Sequence, residues 1–189
     1  MIGNILRKTC VPAARCASRG FHACAPALGL LKNLDPLLTP DLLHVLRSAG
    51  HGDDIVVADC NFPSAAYAPG SVVGKHVVLA GANADEAIDA ICSVLPLDLF
   101  VDTPVHHMVP SDGIELPESG AECHSDAIAA VKKHCPDVTV GTIERFAFYE
   151  AAKPCFAIVQ TAERRPYGCF ILKKGVVGPD GNDLGPDSA

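Results

Sequence analysis

Apolar residues recur with a helical period in some stretches of the chain and form unbroken runs in others. Thr39, Pro40 and Asp41 supply a side-chain cap, a residue suited to the first helical position and a charge that complements the helix dipole. The apolar residues that follow fall on one helical face as far as Gly50, where the helix should end. The next run, IVVAD, lacks alternation and predicts a strand buried on both faces that ends at Asp59.

The same patterns predict three more helices and four more strands. Helices are expected from Asn83, from about Ser119 with Glu122 in a capping-box position, and from Arg145 to Lys153. Strands are expected over residues 72–79, 138–143, 155–161 and 169–173. Helices that alternate with apolar strands predict a single α/β domain, in which a mixed, largely parallel sheet is covered by helices on both faces.

The two ends of the chain differ in composition from the body between them, residues 30–177. Residues 1–29 contain spaced basic residues and small residues but no acidic residue, a composition typical of mitochondrial or plastid transit peptides. We therefore expect a disordered targeting leader, and a cytoplasmic location if the leader does not function. Residues 178–189 are rich in Asp, Gly and Pro, and this composition predicts a disordered acidic tail.

Charge and cysteine usage exclude several classes of function. Five basic residues precede the first acidic residue, Asp35, so the rest of the chain carries ten basic and 22 acidic residues. Such a body repels phosphate backbones and anionic membranes, and no stretch approaches the ~20 apolar residues of a membrane span. Nucleic acid and membrane are therefore not expected as partners. The nine cysteines include no C-x-x-C pair, which favours reduced core residues over a disulfide framework.

Two polar residues beside the first predicted strand are candidates for chemistry. His51 lies between Gly50 and Gly52, and these glycines let an imidazole approach a ligand closely. The alternative, more common for an isolated histidine of this kind, is a turn in which the ring caps helix carbonyls. Asp59 should emerge at the carboxyl end of its strand, where ligands bind in open α/β sheets. Its alternative role is to cap the loop that follows.

Aromatic residues cluster around one arginine in the last third of the chain. Arg145, Phe146, Phe148 and Tyr149 lie within five residues of a chain in which aromatic residues make up 5%. Such a cluster suits a sugar, because apolar ring faces pack on C–H groups while phenol and guanidinium groups bind hydroxyls. The alternative is an ordinary core stripe. The histidines show no recognised metal-ligand spacing, and the chain has no nucleotide-binding or serine hydrolase motif.

Four blocks of sequence together resemble one known family. They are LTPDLLHVLRSAGHGDDIVVADCNFP, LPLDLFVDTPVHHM, IERFAFYEAAKPCFAIVQTAERRPYG and ILKKGVV. They resemble the fucose mutarotase and ribose pyranase family, and the RFAFYE block favours its fucose mutarotase branch. The resemblance covers nearly all of the body. It implies an enzyme without a cofactor that interconverts the anomers of fucose, or of a related monosaccharide, by acid and base catalysis.

The resemblance also implies roles for individual residues and an assembly. His51 matches the family's proton-donating histidine, Asp59 matches its buried sugar-binding aspartate, and Tyr149 completes the expected catalytic set. The residues expected to line or support the sugar pocket are Asp98, Met108, Arg145, Tyr167 and Cys169. Family members form ring-shaped homo-oligomers whose pockets are completed by neighbouring subunits, so a ring such as a decamer is expected here. No metal is expected.

The chain departs from the family's pattern inside the expected pocket. The closing Y-G-N motif of the family is Tyr167-Gly168-Cys169 here, so a thiol replaces an amide that would bind the sugar. One alternative is therefore a monosaccharide-binding protein of the same fold with impaired catalysis, marked by Cys169. Another is a metal-dependent or thiol-dependent isomerase that uses the six cysteines of the body.

Overall fold

The computed structural model describes residues 29–186, so the predicted leader lies outside the described residues except for its last position. The helices are α1 Pro40–Ser48, α2 Ser64–Tyr67, α3 Ala84–Cys92, α4 Glu118–His134 and α5 Arg145–Ala152, with a short 3₁₀ turn at Ala68–Gly70. The strands are β1 Asp54–Ala58, β2 His76–Val78, β3 Val105–Val109, β4 Val140–Glu144, β5 Ala157–Gln160, β6 Phe170–Lys173, β7 Val176–Val177 and β8 Asp183–Leu184.

The first helix begins and ends where the sequence predicts. The Thr39 hydroxyl accepts a hydrogen bond from the backbone N–H of Leu42 at 3.2 Å, and Pro40 occupies the first turn. The Ala49 N–H closes the last turn on the Val45 carbonyl. The helix therefore ends just before the Gly50-His51-Gly52 turn and leaves this turn at the amino end of β1.

Six strands form one sheet in the order β2-β5-β1-β6-β3-β4. The pairs β1 with β5, β2 with β5, and β3 with β4 are parallel. In contrast, β6 runs antiparallel to both of its neighbours, β1 and β3. Five strands therefore run in one direction and β6 runs in the other, which confirms the predicted mixed, largely parallel sheet.

Alternate residues of the central strands face two separate apolar cores, which explains why β1 shows no polar alternation. Ile55 and Val57 pack with α1, α3 and α4 on one face, called here the α4 face. Val56 and Ala58 pack with α5 and the segment after β1 on the opposite face, called the α5 face. Each fully buried Val or Ile contributes about 1.5–3 kcal/mol relative to an exposed side chain. The predicted covering of the sheet by helices on both faces is confirmed.

The predicted capping box of one helix and the predicted bounds of one strand are wrong. Helix α4 begins at Glu118 after Pro117 and has no side-chain hydrogen bond at its N-cap, so Ser119 and Glu122 do not form a capping box. Strand β2 covers only residues 76–78 of the predicted 72–79. The chain turns at Gly74, whose φ of 65° lies in the left-handed region, and this turn separates the first residues of the apolar run from the strand.

The hydrophobic pattern does not predict β3, because two adjacent histidines interrupt its apolar residues. The strand is formed because it pairs on one side with β4 and on the other with β6.

The prediction of a disordered tail is wrong for residues 178–186. The Asp180 side chain accepts hydrogen bonds from Asn182, and Gly181 takes a φ of 86°, so a tight turn returns β8 against β7. Residues 187–189 lie outside the described residues.

A buried carboxylate fixes the loop that joins β5 to β6. Glu163 is 2% exposed and accepts hydrogen bonds from the backbone N–H of Ala84 and from the backbone and guanidinium of Arg165. Arg165 also pairs with Asp85 of α3 and Asp126 of α4. Burial acts to raise the pKa of Glu163, but the contacts with Arg165 outweigh burial and lower the pKa to about 2. The loop is thereby tied to both helices.

The described residues also bear on two expectations drawn from composition. Within residues 29–186, no helix combines the length and the apolar character needed to cross a membrane. All six cysteines of this range are free, and four of them are buried, as expected for small core residues: Cys92, Cys123, Cys155 and Cys169.

Candidate active site

A cavity of about 200 Å³ opens at one end of the sheet. Here the carboxyl ends of β1, β3 and β4 meet the amino end of β6. Crevices at the carboxyl ends of strands are the usual ligand sites of open α/β sheets. The cavity is lined by Asp59, Asn61, Phe62, Met108, Arg145, Tyr149, Pro166, Tyr167 and Cys169. Six of the residues predicted for the site are therefore brought together.

Asp59 forms the polar floor of this cavity. It follows β1 directly and is only 4% exposed. One carboxylate oxygen, Oδ1, accepts hydrogen bonds from the backbone N–H groups of Asn61 at 2.8 Å and Phe62 at 2.9 Å. Burial raises the pKa of Asp59, and these two hydrogen bonds offset only part of the effect. The result is a fixed acceptor for hydroxyl groups that ionises less readily than an exposed aspartate.

Aromatic rings form one wall of the cavity. Tyr149 of α5 stacks on Phe62 with ring centroids 5.5 Å apart and an interplanar angle of 29°. Tyr67 packs against both rings from outside the cavity. Burial raises the pKa of Tyr149, so its phenol remains protonated near neutral pH and can donate a hydrogen bond. The wall offers an apolar surface with a polar edge, as a sugar ring requires.

Arg145 supplies the positive charge of the cavity. It is the first residue of α5, whose amino end is capped by the Glu144 carboxylate through hydrogen bonds from Phe146 and Ala147. The guanidinium carbon lies 4.4 Å from the centroid of the Phe146 ring. Arg145 Nε is buried and has no hydrogen-bond partner among the described residues. A buried donor without a partner is costly, and the same side chain lines the cavity, where its charged guanidinium group can bind an acceptor of a ligand.

Tyr167 and Cys169 close the cavity from the loop before β6. Tyr167 has a φ of 62°, the left-handed conformation that residues with a side chain rarely adopt. The Cys169 thiol lies beside Asp59, and its sulfur accepts the backbone N–H of Asp59 at 3.4 Å. Burial raises the pKa of Cys169 well above its usual value, so the thiol is neutral. It is a weakly polar group next to the carboxyl floor.

His51 and Asp98 lie at the other end of the sheet, at the amino end of β1. The His51 Nε2 is 3.1 Å from Oδ1 of Asp98, which is 2% exposed. Because a carboxylate only accepts hydrogen bonds, Nε2 of the imidazole is the donor in this contact. The imidazole is half-exposed and packs 5.7 Å from Phe100. His51 lines a separate cavity of about 430 Å³.

Two of the residues expected at the pocket, His51 and Asp98, do not lie at the Asp59 cavity within one chain. His51 precedes β1 and Asp59 follows it, so the whole five-residue strand separates them. At about 3.3 Å per residue, this strand alone spans roughly 17 Å. The carboxylate that contacts the His51 imidazole is that of Asp98, not that of Asp59. A monosaccharide held by Asp59 does not reach His51 of the same chain.

Sequence reasoning missed three residues that line the cavity, namely Asn61, Phe62 and Pro166. The first two follow Asp59 closely, so their place at a strand's carboxyl end was a usable signal. Pro166 carried no signal of its own beyond its position next to Tyr167. Among the described residues, no group of three or more His, Cys, Asp or Glu side chains is placed to hold a metal ion.

Comparison with known proteins gives a consistent result over most of the chain. A sequence model of the RbsD / FucU transport protein family matches residues 32–177. A fucose mutarotase of Danio rerio is 37% identical over 155 residues, which cover 80% of this chain and 97% of that protein. The chain is thus similar to that enzyme over nearly the enzyme's full length.

Solved structures agree with the sequence match. The fucose mutarotase of Streptococcus pneumoniae, crystallised with L-fucose, is 36% identical and aligns with a TM-score of 0.69 over 78% of this chain and 100% of that one. The Bacillus subtilis RbsD structure with D-ribose aligns over 79% of this chain and 100% of that one, with a TM-score of 0.56 and 18% identity. The second likeness concerns the fold alone.

The raised pKa of Asp59 predicts that this residue lowers stability at neutral pH. In the folded state the protonated form is favoured, so stability is highest below the unfolded pKa and falls as the pH rises through the folded pKa. We expect Asp59→Asn to raise the free energy of unfolding at pH 7 by about 0.5–2 kcal/mol, the usual range for one stabilising substitution. The gain should shrink towards pH 4, as measured by urea denaturation.

The matched control for this measurement is Asp112→Asn, which removes an exposed carboxylate. It should leave the free energy of unfolding nearly unchanged at both pH values. A loss of stability in Asp59→Asn at pH 7 would contradict the view that the buried carboxylate is strained by its burial.

Proposed function

The chain belongs to the RbsD / FucU family, and on this basis we propose that it interconverts the α and β anomers of L-fucose. The proposal rests on the cavity beside β1. This cavity combines a buried carboxyl floor, a wall of aromatic rings and an arginine whose buried Nε has no partner among the described residues. These are the groups that bind the hydroxyls and the apolar face of a monosaccharide. The likeness to enzymes named fucose mutarotase supports the choice of sugar.

Ring opening needs only two proton transfers, and ring closure needs the same two in reverse. The anomeric hydroxyl loses its proton, the bond between the anomeric carbon and the ring oxygen breaks, and the ring oxygen gains a proton. The open aldehyde then turns its carbonyl face and the ring closes by the reverse steps, which gives the other anomer. One positioned acid or base contributes typically ~10²–10⁴-fold to such a rate, so side chains of this protein can supply the chemistry.

Residues that line the cavity have separate proposed roles. Asp59 holds sugar hydroxyls through its buried carboxyl group, and Arg145 binds a hydroxyl through its guanidinium group. The phenol of Tyr149 takes part in proton transfer, while Tyr167 binds a hydroxyl at the mouth. Met108 and the neutral thiol of Cys169 line the cavity beside the carboxyl floor and offer apolar and weakly polar surface to the sugar. These proposed roles are supported by the position of each side chain at the cavity.

We propose that the sugar site also uses His51 from a second copy of the chain. The His51 imidazole is half-exposed, is oriented by Asp98 and lies beside exposed Phe100. Exposed Phe146 lies near the cavity at the opposite end of the sheet. A contact between these two unlike ends is head-to-tail, and repeated head-to-tail contacts that close produce a ring. We therefore propose a ring-shaped homo-oligomer, such as a decamer, in which His51 of one copy serves the sugar held by Asp59 of the next.

A mixing experiment tests whether the site is shared. His51→Ala and Asp59→Asn should each lower anomer exchange at least ~10²-fold, since each removes a reacting or binding group. When the two variants are co-expressed in equal amounts, about a quarter of the sites should regain both native residues, because random assembly pairs unlike copies. Saturation-transfer NMR of L-fucose measures the recovered exchange.

The control is a mixture of the native chain with the double variant. It should give about a quarter of full activity for a shared site and about half for a site within one copy. If co-expression of the single variants recovers no exchange, the shared site is wrong. Binding of L-fucose without any exchange by the native protein would contradict the mutarotase itself.

We propose further that residues 1–29 direct the protein to mitochondria or plastids. The support is the composition of this segment, which carries basic residues and no acidic residue. A fusion of residues 1–34 to a fluorescent protein should accumulate in the organelle, and a matched fusion with Arg7, Arg15 and Arg19 changed to Gln should not. Diffuse cytosolic fluorescence of the unchanged fusion would overturn this proposal.

A further inference from the structure

A buried histidine reaches the active-site loop from the far face of the sheet. His124 belongs to α4, which packs on the α4 face, whereas Tyr149 and Cys169 of the cavity lie on the α5 face. The His124 imidazole is 6% exposed, and its Nε2 lies 2.9 Å from the backbone carbonyl oxygen of Tyr167. Because a carbonyl oxygen only accepts hydrogen bonds, Nε2 carries the ring proton and donates a hydrogen bond to the Tyr167 carbonyl.

The residue that receives this hydrogen bond is in an unfavourable backbone conformation. Tyr167 has a φ of 62°, and a residue with a side chain keeps such a conformation only when its surroundings hold it there. The next residue, Gly168, adds to the constraint, since a Cβ there would lie 2.8 Å from Cγ of Glu163 and 3.1 Å from Sγ of Cys123. The direction of the Tyr167 side chain thus depends on how its own peptide is held.

The loop is anchored on both sides of Tyr167. Upstream, the Glu163 carboxylate binds the backbone and guanidinium of Arg165. Downstream, the Cys169 carbonyl accepts the backbone N–H of Met108 in β3. Between these anchors, the carbonyl of Tyr167 is held by His124. His124 therefore acts where the loop carries the phenol that lines the cavity.

A second histidine keeps the first in place. The His107 ring of β3 packs on His124 with centroids 4.1 Å apart, and Phe170 lies 6.0 Å from each of them. His107 Nδ1 is buried without a hydrogen-bond partner among the described residues. Burial lowers the pKa of both histidines, to about 4 for His107, so both rings are neutral near pH 7. Two neutral rings in contact restrict the rotation of the donor.

We propose that His124 is a positioning residue for the sugar, which acts through the Tyr167 carbonyl and never touches the ligand. The inference rests on the proposed function, since Tyr167 is there a hydroxyl-binding group. Loss of the hydrogen bond should let the Tyr167 peptide relax and turn the phenol away from its place at the cavity. The effect should fall on sugar binding, because no group that transfers a proton is removed.

Two substitutions of similar size separate the hydrogen bond from packing. In His124→Gln the side-chain amide nitrogen can replace Nε2 as donor, whereas His124→Met fills a similar space and cannot donate. We expect His124→Met to raise the KM for L-fucose about three- to tenfold, the usual effect of one hydrogen bond, with kcat changed less than about twofold. His124→Gln should remain close to the native protein. Saturation-transfer NMR at varied sugar concentration gives both constants.

A signal independent of activity follows from the tyrosine content. The chain has three tyrosines and no tryptophan, so ¹³C-tyrosine labelling gives few ring signals, and Tyr167→Phe identifies the one in the loop. The Tyr167 signal should shift in His124→Met and stay in place in His124→Gln. Val131→Ala, a cavity-forming change at a fully buried position of the same helix, controls for lower stability and should change neither KM nor the Tyr167 signal.

Each possible result decides the proposal. A native KM and an unchanged Tyr167 signal in His124→Met would overturn it, as would equal effects of Gln and Met that Val131→Ala reproduces. If the native protein shows no anomer exchange, the proposed mutarotase fails and the sugar role of His124 fails with it. The Tyr167 signal would then still report whether His124 holds the loop, so the two failures are distinguishable.

Discussion

Helices cover both faces of β1, and this burial determines where polar side chains can lie. After its first residue, Asp54, the strand is buried by α1, α3 and α4 on one side and by α5 on the other, and it has no exposed position for a polar group. Reactive side chains are therefore confined to its two ends. His51 lies at the amino end and Asp59 at the carboxyl end, and the same packing that stabilises the fold keeps them apart.

Local sequence signals predict the parts of the fold that depend on local interactions. The cap at Thr39 forms as predicted, and the predicted helix from Asn83 begins where the Glu86 carboxylate accepts the Asn83 backbone N–H; both contacts lie within one turn of chain. Strand β3 depends instead on β4 and β6, which are distant in sequence, so its histidine pair hides it from pattern reasoning. The turn that orders β8 is likewise stabilised by a strand that composition does not reveal.

The candidate site shows the same division between local and distant determinants. Asp59 was predictable because a buried strand that ends in an acid points to a sheet edge, and Tyr149 because aromatic residues cluster in α5. The family resemblance named the remaining residues, but no resemblance gives distances within one chain. The pairing of His51 with Asp98, 47 positions away, and the support of Tyr167 by His124 both arise from tertiary packing. For that reason only the structure reveals them.

In the proposed assembly, the imidazole and the carboxyl group that serve one sugar come from two copies of the chain. A crystal structure of the assembled protein with L-fucose would show whether they do. We expect the sugar in the cavity beside Asp59, with the imidazole of His51 from a neighbouring copy within hydrogen-bond distance of the ring or anomeric oxygen. A sugar bound at Asp59 with no histidine from a second copy near it would show that the site is not shared.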